Sequence, residues 1–219
     1  MSNLLIINSS PNGDYSKSSQ LTERFSKEMS AITGELKVTV RDLGANPIPH
    51  LNPVTLSGFF SDPEQHSDEQ VEATRVSTEL IAELKLADIV IIGAAMHNFM
   101  VTSGLKAYID QVARAGETFK YTDKGPVGLL KDKKVYVIKA SGGDYSEMPM
   151  KGMDFLQPYL TFMLGFIGLD DVTFINHGGA AMGPDMAKAA ESKTHREISQ
   201  AVLELSKKLD LEVSQGAAA

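Results

Sequence analysis

Four β-branched residues stand in an unbroken row, Ile89-Val90-Ile91-Ile92, between Asp88 and Gly93. A row that short cannot cross a bilayer, and without polar alternation it has no face to offer water. It reads as a strand buried on both sides, the pattern of parallel sheets. Parallel neighbours are joined only by long crossovers, usually helices. The rest of the chain is therefore expected to alternate strands with helices.

It does. Leu4 to Ile7 is a second apolar run, Lys37 to Asp42 alternates, Lys134 to Lys139 is a third core strand, and Val172 to Asn176 a further one. Between them lie helical spacings. Leu21, Phe25, Met29 and Ile32 mark one helix, with Ser18 or Ser19 as its cap. Val76, Leu80, Ile81 and Leu84 mark another over Ser67 to Leu86. Leu105, Tyr108, Ile109 and Val112 mark a third, Phe155 to Ile167 a fourth, and Asp185 to Leu211 the last. Asn46 to Pro63, with four prolines, reads as a long surface loop. Five strands in this alternation predict an α/β doubly wound five-stranded parallel sheet with helices on both faces. Ligands of such sheets bind at the carboxyl ends of the strands. One domain over residues 1–212 is expected, with 213–219 a disordered tail.

Composition narrows the chemistry. The formal charge of −7, with no basic run beyond Lys133-Lys134 or Lys207-Lys208, argues against nucleic acid. There is no cysteine, so redox chemistry requires a cofactor. The five histidines show no metal-ligand spacing and no Gly-x-Ser-x-Gly elbow is present, so neither a metal nor a side-chain nucleophile is expected. No signal peptide or membrane span is legible, which places the chain in the cytoplasm.

Three segments follow strands and carry the candidate chemistry. Ser9 to Ser18 is rich in hydroxyls and opens a helix, which suits either an anion or a plain capped turn. It lacks the Gly-Lys-Ser/Thr ending of a P-loop and the Gly-x-Gly-x-x-Gly dinucleotide pattern, so a monophosphate fits better than a pyrophosphate. Ala94 to Phe99 follows the strongest strand, where Met96 and Phe99 could lie along a flat ring while Asn98 meets its polar edge. It equally suits an ordinary strand-to-helix connection. Ala140-Ser141-Gly142-Gly143 lets backbone approach a ligand, or simply turns.

Across these loops the chain resembles the bacterial FMN-dependent NADH-azoreductases, flavodoxin-like quinone and azo reductases. The likeness runs through Val40-Arg41-Asp42-Leu43, Asn46-Pro47-Ile48-Pro49, Met96-His97-Asn98-Phe99, Val112-Ala113-Arg114-Ala115-Gly116, Thr118 to Thr122, Gly142-Gly143, Pro158-Tyr159-Leu160 and Leu164 to Gly168. It implies a homodimer that binds one FMN per subunit and uses NADH to reduce quinones or azo compounds by a two-electron ping-pong route. It further implies that Ser10, Ser16, Lys17 and Ser18 hold the FMN phosphate. Met96, His97, Asn98 and Phe99 would flank the isoalloxazine on one side, and Ala140, Ser141, Gly142 and Gly143 on the other. No side chain need be catalytic; His97, Phe60, Phe119 and Tyr121 are the expected substrate-pocket residues, the last two from the partner subunit. The family usually has Tyr where His97 stands and Pro where Ala95 stands. Imidazole titrates near neutrality and phenol does not, so a pH-dependent rate is expected. Phe59-Phe60 replaces a basic residue of some relatives, which points to apolar quinones. A flavodoxin-type one-electron carrier, a flavin-releasing reductase and a flavin-free binding domain are the competing readings.

Overall fold

The computed structural model describes residues 2–34 and 36–216, with side chains as far as 209. Five parallel strands form the central sheet: β1 (Ser2–Asn8), β2 (Leu36–Asp42), β3 (Ile89–His97), β7 (Lys134–Ala140) and β8 (Asp171–His177). Their order is β2-β1-β3-β7-β8, with in-register pairing such as Ile6 to Ile91 and Ile91 to Tyr136. The order reverses direction between β1 and β3, so the crevice of a doubly wound sheet opens above that pair.

Strand alternation divides the apolar side chains between two cores. Leu4, Ile6, Ile89, Ile91, Tyr136 and Ile138 point to one face and pack under α1 (Lys17–Thr33) and α6 (Pro184–Gly216). Leu5, Ile7, Val90, Ile92, Val135 and Val137 point to the other. There they meet α3 (Asp68–Leu86), α4 (Ser103–Val112) and α5 (Leu156–Phe166). Two buried faces explain why the inner strands are apolar without interruption. The edge strand β2 is looser, and Val38 and Val40 are exposed.

Five local expectations change. The cap of α1 is Ser16, whose side chain accepts from the amide of Ser19 at 3.1 Å; Ser18 and Ser19 lie inside the first turn. The segment read as a loop over Asn46 to Pro63 contains a two-turn helix, α2 (Pro53–Phe59), capped by Asn52 and laid on α3. Seven residues are too few for a helical period to be legible, and only Asn52-Pro53 signalled it. β3 continues to His97 and turns back through β4 (Met100–Val101), where a loop was expected. Two further strands, β5 (Phe119–Thr122) and β6 (Gly125–Gly128), make a separate hairpin. The expected tail at 213–219 is helical through Gly216, and 217–219 lie outside the described residues. Among the described residues no helix is long and apolar enough to cross a membrane.

Candidate active site

The carboxyl ends of β1, β3 and β7 converge on a cleft of about 420 Å³. Buried polar side chains root its walls. Asn8 and Ser9 close β1: Thr22 donates to Asn8 Oδ1 at 2.8 Å, and Ser9 Oγ donates to Gly93 O at 2.7 Å while accepting from Ala95 N at 3.1 Å. Thr102, the cap of α4, donates to Ser9 O at 2.9 Å. The start of the Ser9–Ser18 loop is thus tied to β3 and α4 before it reaches the cleft.

That loop then runs along the opening. The amides of Tyr15 and Ser16 are used within it, donating to Asn12 O and Gly13 O, and Ser16 Oγ takes the amide of Ser19. Among the described residues the amides of Lys17 and Ser18 have no partner, as the geometry of a helix start dictates. No acidic side chain occupies the first turn of α1 to satisfy its dipole. Ser10, Ser16, Lys17 and Ser18 all line this end of the cleft. Unpaired amides, hydroxyls and a positive helix end are a fit for a phosphate monoester. Lys17 reaches Glu191 of α6 at 3.8 Å across a half-exposed surface.

The opposite wall comes from the segment after β7. Its amide and carbonyls are consumed by the loop after β8. Ser141 N donates to His177 O at 3.0 Å, while Ser141 O, Gly142 O and Gly143 O accept from Ala180, Ala181 and Gly179. The amides of Gly142 and Gly143 have no partner among the described residues. A wall whose carbonyls are bonded inward and whose amides are free presents donors to the oxygen- and nitrogen-rich edge of a flat heterocycle. Met96 and His97 form the remaining side. The turn after them places Asn98 and Phe99 at φ +47° and +67°, the left-handed pair of a tight two-residue hairpin.

The cleft therefore gathers Ser10, Ser16, Lys17, Ser18, Met96, His97, Ala140, Ser141 and Gly142. Asn98, Phe99 and Gly143 stand at its edge without lining it. Pro11, Asn12, Tyr15, Ala95 and Ala180 also line it, though none was expected as a cofactor contact. Ala180 follows the fifth strand, whose carboxyl end the strand order alone puts beside the other three. Of the expected substrate-pocket residues, His97 lines the cleft and Phe60, Phe119 and Tyr121 do not. Phe119 is buried within its own subunit, 4.4 Å from the Phe166 ring, and anchors the β5–β6 hairpin instead of facing a pocket. Tyr121 and Phe60 lie on the surface. Arg114 is buried with its guanidinium 4.9 Å over the Phe59 ring, and Asp110 pairs with Lys106.

Behind the cleft, His177 is buried at the end of β8. Thr194 Oγ1 lies 2.8 Å from Ala190 O and 3.1 Å from His177 Nδ1. Burial first, and then the nearby Lys17 charge, push the His177 pKa below the ordinary imidazole value.

A family model described as a flavodoxin-like fold matches residues 2–202. An FMN-dependent NADH:quinone oxidoreductase of Herminiimonas arsenicoxydans is 50% identical over 200 residues, spanning 91% of this chain and 98% of that protein. One from Agrobacterium fabrum is 44% identical over 205 residues, 92% of this chain and 100% of the relative. Among solved structures, an FMN-dependent NADH-azoreductase from Bacillus anthracis in complex with FMN superposes with a TM-score of 0.85 at 27% identity, covering 94% of this chain and 100% of that one.

Proposed function

The chain belongs to the flavodoxin-like fold family, and on that premise we propose that it is an FMN-dependent reductase that takes electrons from NADH and delivers them to quinones and azo compounds. The observation that carries this reading is the cleft itself: a helix start with free amides and hydroxyls faces a wall of free glycine amides across the strand ends. Relatives matched over nearly their whole length are named FMN-dependent NADH:quinone oxidoreductases, and a similar solved structure is named an FMN-dependent NADH-azoreductase.

Ser10, Ser16, Lys17 and Ser18 would hold the FMN phosphate. Met96, His97, Ala140, Ser141 and Gly142 would enclose the isoalloxazine, with Asn98, Phe99 and Gly143 at its rim. Bound FMN supplies the hydride-accepting centre, so the chain itself needs no nucleophile. The residues' work is orientation: the helix start fixes one end of the cofactor, and the amides of Gly142 and Gly143 donate to its polar edge. Donor and acceptor would use the same open side of the cleft in turn, a ping-pong order. NADH supply places this work in the cytoplasm.

The same reading makes the chain a homodimer. Tyr121 and Phe162 are 74% and 67% exposed and flank the contacting rings of Phe119 and Phe166, an aromatic patch open to a partner, and Phe60 is 83% exposed. A second copy would cover it and bring Tyr121 and Phe60 to the partner's cleft, where an apolar quinone would meet them. Sedimentation should give a dimer, and Phe162→Glu should shift it to monomer and reduce quinone turnover.

The decisive test is anaerobic. Protein loaded with FMN is given one equivalent of NADH; full bleaching of the flavin colour, restored by a quinone or an azo dye, is the expected result. Flavin that binds but does not respond to NADH would overturn the reductase reading in favour of an electron carrier.

A further inference from the structure

Beneath one wall of the cleft lies a buried pair of opposite charges. Lys139, next to last in β7, and Asp154, just before α5, are both buried and ion-paired to each other. Lys139 Nζ also lies 3.3 Å from Gln157 Oε1. Asp154 uses its other oxygen as a helix cap, accepting from the amides of Leu156 at 3.0 Å and Gln157 at 3.1 Å.

The pair reaches the second wall through the backbone. Phe155, the next residue, donates its amide to Phe99 O at 3.0 Å. Phe99 is the left-handed residue of the β3–β4 turn, a conformation that an aromatic side chain adopts only when its surroundings hold it there. Its ring meets the Tyr145 ring edge-on at 6.1 Å, and Tyr145 in turn closes over Gly143, where an added Cβ would stand 3.3 Å from the ring. The chain of contacts thus runs from β7 through Asp154, Phe155, Phe99 and Tyr145 back to the segment that follows β7. Both walls belong to one circuit, and its only buried charges are Lys139 and Asp154.

Stability does not require such a pair. Two apolar residues of similar volume serve a core as well or better, and an uncharged acceptor caps a helix equally well. What a buried, multiply bonded pair supplies is a single fixed geometry. We propose that Lys139 and Asp154 are positioning residues for the flavin ring, holding the β3–β4 turn and the Ala140–Gly143 wall at the separation an isoalloxazine requires. This rests on reading those two segments as the ring walls.

The test titrates flavin-free, full-length protein with FMN and with riboflavin, which has the ring but no phosphate, following flavin fluorescence. Asp154→Asn keeps the cap acceptor and removes the charge. Lys139→Met removes the other charge. Each is expected to weaken both flavins about tenfold, the value of one lost directed contact. The ratio of the two dissociation constants should stay at its wild-type value, because the phosphate end is untouched. The double variant Lys139→Met/Asp154→Asn, which removes both charges and keeps the cap acceptor, should recover the wild-type melting temperature but not the flavin affinity. Recovery of both, or single variants that bind both flavins like wild type, would overturn the proposal; if the single variants fail to fold, the double variant decides alone. Ser16→Ala and Ala180→Trp, which alter the phosphate end and fill the cleft, test the underlying assignment. If neither weakens FMN, the cleft reading falls and this inference with it; if both weaken FMN while the charge variants do not, only this inference falls.

Discussion

Gly44 offers a quantitative test of how the phosphate end of the cleft is held. It follows β2 in the turn set by Asp42, whose Oδ1 accepts from Gly44 N at 2.9 Å and Ala45 N at 3.0 Å. A Cβ at Gly44 would stand 2.3 Å from Ser10 O, 3.0 Å from Pro11 Cα and 3.1 Å from Ser10 C. All three are backbone atoms, so no flexible tip can swing aside. Restoring even a 3.0 Å contact requires the Ser10 carbonyl to retreat by about 0.7 Å. Ser9 resists that movement, because its amide donates to Gly93 O and its carbonyl accepts from Thr102. Gly44→Ala should therefore cost about 1–3 kcal/mol, the usual range for overpacking. For a domain of this size each kcal/mol lowers Tm by roughly 2–4 °C. Because the displaced backbone begins the phosphate loop, FMN affinity should fall while riboflavin affinity changes less. Gly104→Ala is the matched control. Its added Cβ would meet only Leu43 atoms at 3.5 and 3.6 Å, and it lies in α4, where alanine is favoured by up to about 1 kcal/mol. Urea unfolding and FMN titration of the two variants decide the matter. Equal unfolding midpoints and equal FMN affinities for Gly44→Ala and wild type would refute the argument from close approach.

Other perturbations follow from single sites. Ser16→Ala removes the cap of α1 and should cost about 1 kcal/mol in chemical unfolding, with a larger loss for FMN than for riboflavin. Burial pushes the His177 pKa below its unfolded value, so the unfolded chain binds more protons as pH falls. Stability should be complete above the ordinary imidazole value of 6.5 and decline as pH drops below it toward the folded value. His177→Gln should flatten that decline, and an unchanged slope in unfolding midpoint against pH would count against it. Tyr108 buries a hydroxyl that finds no partner among the described residues. Tyr108→Phe should leave the fold intact and raise unfolding stability by about 1 kcal/mol; a loss of that size would reveal a bond to the hydroxyl.

Periodicity and chain punctuation carried the architecture. The unbroken Ile89–Ile92 run, the alternating edge at Lys37 to Asp42 and the helical spacings between them are local signals, because a strand or helix records its burial in its own order of residues. The hydroxyl-rich segment after the first strand was legible for the same reason, since a helix start and its free amides are properties of adjacent residues. Tertiary structure alone decided the rest. Ala180 reaches the cleft because β8 lies beside β7. Lys139 and Asp154 meet across 15 residues of sequence that show no periodic link. Phe119 turns inward to Phe166, where the chain gave no sign of which side of the hairpin would be covered. Such contacts depend on how separate elements pack, and packing is a matter of shape and distance that no run of neighbouring residues encodes.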